Sequence, residues 1–173
     1  VLQKDNHSND ILMLEILSLF KKNKRKIDNI SKIFVNLGPG SFSGIRGSIA
    51  TSQGISLASK IHVFGYSSFQ LLRSSFYEKI KPCGFLIKIN NNYLFQSDEK
   101  VNKFGIVKKL SRDMIINILK KNIIVSSFNY SQNTDPEILQ SKNFKLIKVN
   151  YNKLELLYNN NLLQKKFIKP LYV

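Results

Sequence analysis

The chain has 173 residues and 19.9 kDa, 43% of them apolar, enough for one domain or two small units with real cores. Its formal net charge of +16 invites a polyanionic partner, yet only Arg25, Arg46, Arg73 and Arg112 among the 27 basic residues are arginine. Lysines scattered among Asn and Ile fit a solvated basic surface better than a dedicated nucleic-acid face, which favours the planar guanidinium.

No segment approaches the ~18 uninterrupted apolar residues of a membrane span. The first residues, Val1 to His7, turn polar after two positions and do not make a signal peptide. Position 1 is Val, so the expectation is a processed chain or a piece of a longer product. A lone cysteine, Cys83, excludes an internal disulfide framework and a cysteine-cluster zinc site, and it fits a reducing cytoplasm.

In chain order, a first helix is predicted from Ser8 or Asn9 to about Asn23, with Asp10 in its first turn and Lys21, Lys22 and Lys24 at its end. Ile11, Leu12, Met13, Leu14, Ile16, Leu17, Leu19 and Phe20 cover more of it than the ~100° stripe needed for one packing layer. A second covering surface is required, either within this chain or from a partner. Lys32–Leu37 reads as a short buried strand, followed by a glycine turn and a helix from Ser41 or Ser43 to about Ser59. Ile61–Phe64 is a second strand, and Ser67–Tyr77 a third helix begun by a serine cap. Helix, strand, helix, strand and helix in this order predict an α/β layer with parallel pairing.

Pro82 and Gly84 place a boundary near Lys79–Cys83, dividing the chain into units 1–80 and 81–173. Phe85–Ile89 and Tyr93–Phe95, joined by three asparagines, read as a hairpin. A helix follows from Ser111 to Lys121, a strand lies within Asn122–Phe128, and Asn129–Gln140 carries turn signals that include Asp135-Pro136. Phe144–Val149 is a strand, Tyr151–Tyr158 a helix, and Phe167–Val173 a terminal extended segment with a possible return to the first unit.

The stretch Gly38-Pro39-Gly40-Ser41-Phe42-Ser43-Gly44-Ile45-Arg46-Gly47 is the most specific in the chain. Gly38 and Gly40 give permissive backbone on either side of a fixed proline φ, and Ser41 is a good helix N-cap. Bared N–H groups at such a start attract anions, so Gly38, Gly40, Ser41 and Arg46 form a candidate anion-binding turn. The pattern is neither a P-loop nor a dinucleotide fingerprint. On a helical projection Gly44, Gly47, Ser48, Thr51, Gly54 and Ala58 share one arc of roughly 120°. Interior helical glycine costs about 1 kcal/mol against alanine, so three of them point to close approach by the sheet or by another helix.

Catalytic patterns are missing from the sequence. The only histidines are His7 and His62; the latter sits in a predicted strand, where a structural role is the better reading. No His-x-x-x-His pair, acidic cluster or base beside Ser41 and Ser43 suggests a metal, a carboxylate pair or a nucleophile.

The Gly38–Arg46 motif, Ala50–Ala58 and Val63–Phe69 together resemble the TsaB (YeaZ) family, with Ser43 where its GPGSFTGxR signature has threonine. His7 with the leucine-rich helix, and Lys169-Pro170-Leu171-Tyr172-Val173, resemble further landmarks; specific similarity covers about residues 6–72. The resemblance implies an actin-like/Hsp70-like ATPase fold of ribonuclease H-like units. It implies a non-catalytic, cytoplasmic subunit for making threonylcarbamoyladenosine beside the tRNA anticodon, with no cofactor and no metal of its own. Its partners would be a TsaD-like catalytic subunit and a TsaE-like ATPase, with tRNA reached through the complex. Family members pair the first two helices with those of TsaD or of a second copy, which makes Ile11, Leu14, Gly44, Gly47, Ser48, Thr51 and Gly54 the candidate interface. Relative to the family, the chain begins after an N-terminal hairpin, and the family's Asp-Ala-Arg-x-Gly-Glu-Val-Tyr segment stands as Lys88–Phe95 without its acidic and arginine positions. The other readings left open are an enzyme binding a phosphorylated ligand at Gly38–Ser43 and a basic tRNA-binding module.

Overall fold

Alternating apolar positions in Gly84–Ile89 and Asn92–Ser97 build the centre of the larger sheet. In the computed structural model, which describes residues 8–77, 81–100, 106–131, 133–165 and 168–171, these are β3 and β4, paired antiparallel from Gly84↔Ser97 to Ile89↔Asn92. Phe85 and Ile87 face one side of the sheet and Leu86 the other, as the two-residue repeat dictates. β5 (Lys108–Leu110) lies outside β4, while β6 (Ile124–Ser127) and β7 (Phe144–Ile147) extend the opposite edge in parallel. Counted within this unit, the order is 3-2-1-4-5: an antiparallel meander followed by a parallel pair.

Both faces of this sheet are covered. Phe69, Leu72 and Phe76 from and beyond α3 (Ser68–Ser75) pack on Phe85, Ile87, Leu94 and Val125. On the other face Ile115 and Leu119 of α4 (Arg112–Leu119) and Ile138 of α5 (Pro136–Gln140) pack on Leu86, Tyr93, Ile124 and Phe144. The caps follow sequence chemistry: Ser67 accepts from the Gln70 N–H, Ser111 from Met114 and Asp135 from Glu137.

The first unit holds one parallel pair, β1 (Lys32–Asn36) and β2 (His62–Tyr66), in register from Lys32↔His62 to Asn36↔Tyr66. The crossover is α2 (Phe42–Ser59), which sets Ile45 and Ile49 on Val35, Leu37 and Val63. The opposite face carries Phe34, Phe64 and Tyr66 against Leu71 and against Leu154 and Leu157 of α6 (Lys153–Asn159). Beside β6 runs the β3 meander; beside β1, no described strand takes that position. The chain end returns here, with Gly65 bridged to Gln164 and the Leu171 N–H bonded to the Leu37 carbonyl at 2.7 Å. α1 (Ser8–Lys22) lies on α2.

Several sequence expectations need correction. Lys108–Leu110 is a strand where none was read, because two exposed lysines mask the alternation and the pairing comes from β4. Asp135-Pro136 is a helix start rather than only a turn, with Pro at the first helical position. The second strand runs to Tyr66 rather than ending at Phe64. His7, Tyr172 and Val173 lie outside the described residues. His62 stands, exposed, at the start of β2, the strand in which it was expected.

Candidate functional site

The turn between β1 and α2 is built by its neighbours. Gly38 has φ +107°, a conformation side chains rarely adopt, and a Cβ there would meet Ile45 Cδ1 at 2.9 Å and the Leu171 carbonyl at 3.2 Å. The Gly38 N–H donates to Asn36 Oδ1 at 2.8 Å, and the Ser68 N–H donates to the Gly38 carbonyl at 2.9 Å. The Ser68 hydroxyl accepts from Asn36 Nδ2 at 3.0 Å and donates to the Pro39 carbonyl at 3.2 Å. Tyr130, from the second unit, joins Ser68 and Asn36; burial pushes its phenol above the ordinary range while those hydrogen bonds pull it down. Burial likewise raises Tyr66, reinforced by Tyr130 and Tyr151. This knot ties residues 36, 38, 68 and 130 together, and no local pattern in the sequence announces it.

The four residues of the candidate anion turn sit in different settings. Gly38 is buried and its N–H is engaged by Asn36; Gly40 and Ser41 are exposed at the helix start. Ser41 makes no side-chain cap bond, and its hydroxyl lies 3.4 Å from that of Ser43. The Arg46 guanidinium sits over the Phe42 ring at 4.0 Å. Beside the turn, a hollow of about 350 Å³ opens toward the second sheet, walled by Pro39, Phe42, Ile45, Ile89, Leu94 and Leu171 with Asn92 and Lys109. The sequence reading did not foresee it, since its walls come from four separate segments.

The candidate docking residues lie on α1 and α2. α1 turns Leu12, Ile16 and Phe20, spaced by four, into partial burial, and leaves Ile11, Met13, Leu14, Leu17 and Leu19 exposed, Leu14 at 66%. On α2 the sheet-facing side is Ile45, Ile49 and Ser52. Gly47, Ser48 and Thr51 are half-buried, whereas Gly44, Gly54 and Ala58 are exposed. A Cβ added at Gly54 would meet nothing within 4 Å, and at Gly44 only Ser41, at an ordinary 3.6 Å. The glycine arc therefore does not face the sheet, and part of it is uncovered. Leu57 stands 86% exposed on the same helix.

Among the described residues no group of three or more His, Cys, Asp or Glu side chains is placed to hold a metal ion, and no helix is long and apolar enough to cross a membrane.

The fold class follows from this architecture: an α/β protein of the actin-like, ribonuclease H-like type. Two Pseudomonas aeruginosa structures share it. One, described as an uncharacterised protein with similarity to peptidase YEAZ, superposes with TM-score 0.60 at 14% identity over 93% of this chain and 82% of its own. The other, YeaZ, gives TM-score 0.60 at 12% identity over 92% and 82%. The chain belongs to the family described as "TsaD: tRNA N6-adenosine threonylcarbamoyltransferase", whose model matches residues 2–163. It is 32% identical over 124 residues to "tRNA threonylcarbamoyladenosine biosynthesis protein TsaB" of Buchnera aphidicola subsp. Baizongia pistaciae, across 69% of this chain and 56% of that protein. The TsaB of the Schizaphis graminum subspecies is 30% identical over 129 residues, 65% and 61% of the two chains. The chain thus spans a little over half the length of these curated relatives.

Proposed function

We propose that this chain is a non-catalytic partner subunit that supports TsaD-type transfer of a threonylcarbamoyl group to the adenosine beside the tRNA anticodon. The observation that carries the reading is the apolar surface left open on α1, where Ile11, Leu14, Leu17 and Leu19 are exposed on a helix that lies on α2. Side chains of this size, grouped on one element, mark an interaction surface rather than chance exposure. The names of the Buchnera relatives support the pathway. In this reading the partner is a TsaD-like protein that lays helices against α1 and α2, with Gly44, Gly47, Ser48, Thr51 and Gly54 allowing close approach. A TsaE-like ATPase then joins that assembly, and tRNA is met through it.

The test is capture of the TsaD homologue from the same organism by the purified chain, followed by a tRNA modification assay on the assembled subunits. Binding by wild type and its loss in Leu14→Asp and Gly47→Leu supports the proposal. Undiminished capture by both variants refutes the interface, and transfer activity in this chain alone refutes the non-catalytic role.

A further inference from the structure

Over the whole chain 27 basic residues stand against 11 acidic ones, but from Ile138 to Val173 seven lysines stand against a single acidic residue, Glu155. At the start of α6 this segment meets the end of α3, and two exposed aromatic rings come to one place. The Asn150 N–H donates to Ser75 Oγ at 3.0 Å, which fixes the approach to α6 against α3. Tyr151 follows and is 57% exposed, while Tyr77, two residues beyond Ser75, is 64% exposed. Lys153 holds its Nζ over the Tyr77 ring, 4.4 Å from the centroid. Lys148, Asn150 and Asn152 are exposed on the same stretch. The acidic groups nearby are few: Glu155 is exposed on α6, Glu78 and then Lys79 follow Tyr77 in sequence, and Asp98 is paired with Arg73.

We infer that Tyr77 and Tyr151, with Lys148 and Lys153, form a contact for single-stranded RNA made by this chain itself. It lies on α3 and α6, apart from α1 and α2, so it goes beyond the reading above, in which tRNA is met through the assembly, and does not depend on the docking face. Tyrosine rings left open to water gain by stacking on a base, and every unpaired nucleotide offers such a face. The bases of a duplex are already stacked on one another, so the rings favour a single strand. Lysine suits the backbone, since drawing in phosphates needs charge along the strand's path and not the forked geometry that reads a guanine edge. The surround is polar, as this ligand requires: Leu156, 49% exposed, is the leucine that α6 presents to solvent, and one such side chain does not make a protein-docking patch.

The test is fluorescence anisotropy of the whole chain with a labelled, mixed-sequence single-stranded RNA of about ten nucleotides, and with a duplex RNA of equal phosphate count, at about 0.05 M and about 0.2 M NaCl. The variants are Tyr77→Ala, Tyr151→Ala, their phenylalanine counterparts, Lys148→Gln, Lys153→Gln and, as a control on the other face, Leu14→Asp; thermal melts check that each folds. Wild type should bind the single strand more tightly than the duplex. Each alanine variant should weaken that binding about tenfold, while Tyr77→Phe and Tyr151→Phe, which keep the ring, should retain it. Each lysine variant should reduce the slope of log K against log salt by about 0.7. Leu14→Asp should bind RNA as wild type does. Absence of saturable binding by wild type overturns the contact. So does binding that is equal for duplex and single strand and indifferent to both alanine variants, which would mark general attraction to a basic surface. Loss of RNA binding in a folded Leu14→Asp would overturn its placement on α3 and α6. RNA binding without capture of the TsaD homologue would sink the docking reading alone, and capture without RNA binding would sink this contact alone.

Discussion

Replacing Gly54 by alanine separates two reasons for a glycine inside a helix. Gly54 sits in the interior of the 18-residue α2, exposed, with no atom of the described residues outside its own helical backbone within 4 Å of the place a Cβ would occupy. Nothing in the isolated chain therefore resists the substitution, and the intrinsic preference of alanine should appear almost whole, about 1 kcal/mol of added stability. With an unfolding entropy of about 2.1 cal/mol/K per residue, 173 residues give about 0.36 kcal/mol/K, so the melting temperature should rise by about 3 °C. Urea denaturation of the isolated chain, read by helical circular dichroism, should show a higher midpoint at unchanged slope. Gly54→Trp should fold equally well, because its side chain enters open space, but should lose most of its capture of the TsaD homologue. A Gly54→Ala protein less stable than wild type would mean the residue is packed within the chain, and the structural account of this face would fail. A stabilised Gly54→Ala together with normal capture by Gly54→Trp would refute close approach of a partner here.

Gly84 is the opposite case: a Cβ would lie 2.5 Å from the Gln96 carbonyl oxygen across the β3–β4 pair. Gly84→Ala should cost about 1–3 kcal/mol in a urea titration, as overpacking against backbone does; a loss under 0.5 kcal/mol would show that the hairpin yields easily. Asn36→Ala removes the acceptor of the buried Gly38 N–H and the donor to Ser68, for an expected loss of about 1–3 kcal/mol, whereas exposed Ser43→Ala should stay within about 0.5 kcal/mol. Tyr66 and Tyr130 have phenols raised above the ordinary value of 10.0 by burial. Their contribution is fully present below pH 10 and is lost as pH rises toward the folded values, at up to about 1.4 kcal/mol per pH unit for each. Stability measured from pH 9 to 11 (about one unit either side of the phenol value) should fall less steeply in Tyr130→Phe than in wild type, and equal slopes would contradict the burial argument.

What the sequence disclosed depended on how local the signal was. Ser67 and Ser111 could be read as caps because the bond they make spans three residues. The hairpin at Gly84–Ser97 was visible because its alternation and its asparagine turn are contiguous. Lys108–Leu110 was not, since three residues with two lysines carry no period and become a strand only beside β4. The glycine arc on α2 was legible as an arc, yet its division into a half-covered and an open part depends on where α1 lies. The Asn36–Ser68 contact spans 32 positions, and Tyr130 adds a third segment, so the turn's true supports stayed hidden while its glycines stood out.

α2 divides lengthwise, and the division bears on how stable the chain is by itself. Were its glycines needed by the sheet, they would share the side of Ile45 and Ile49; instead that side is filled by ordinary apolar residues. Gly54 then reduces helix stability by about 1 kcal/mol, with no described atom of the rest of the chain within 4 Å of its Cβ position to offset it. The exposed leucines of α1 likewise forgo burial worth about 1.5–3 kcal/mol for each side chain that a partner would cover. Both effects run in one direction: a partner that covers this face stabilises the folded chain by mass action, about 2.7 kcal/mol at a hundredfold excess over its dissociation constant. In the proposed assembly, folding and docking are coupled through these two helices, where the open apolar side chains of α1 and the uncovered Gly54 of α2 fall.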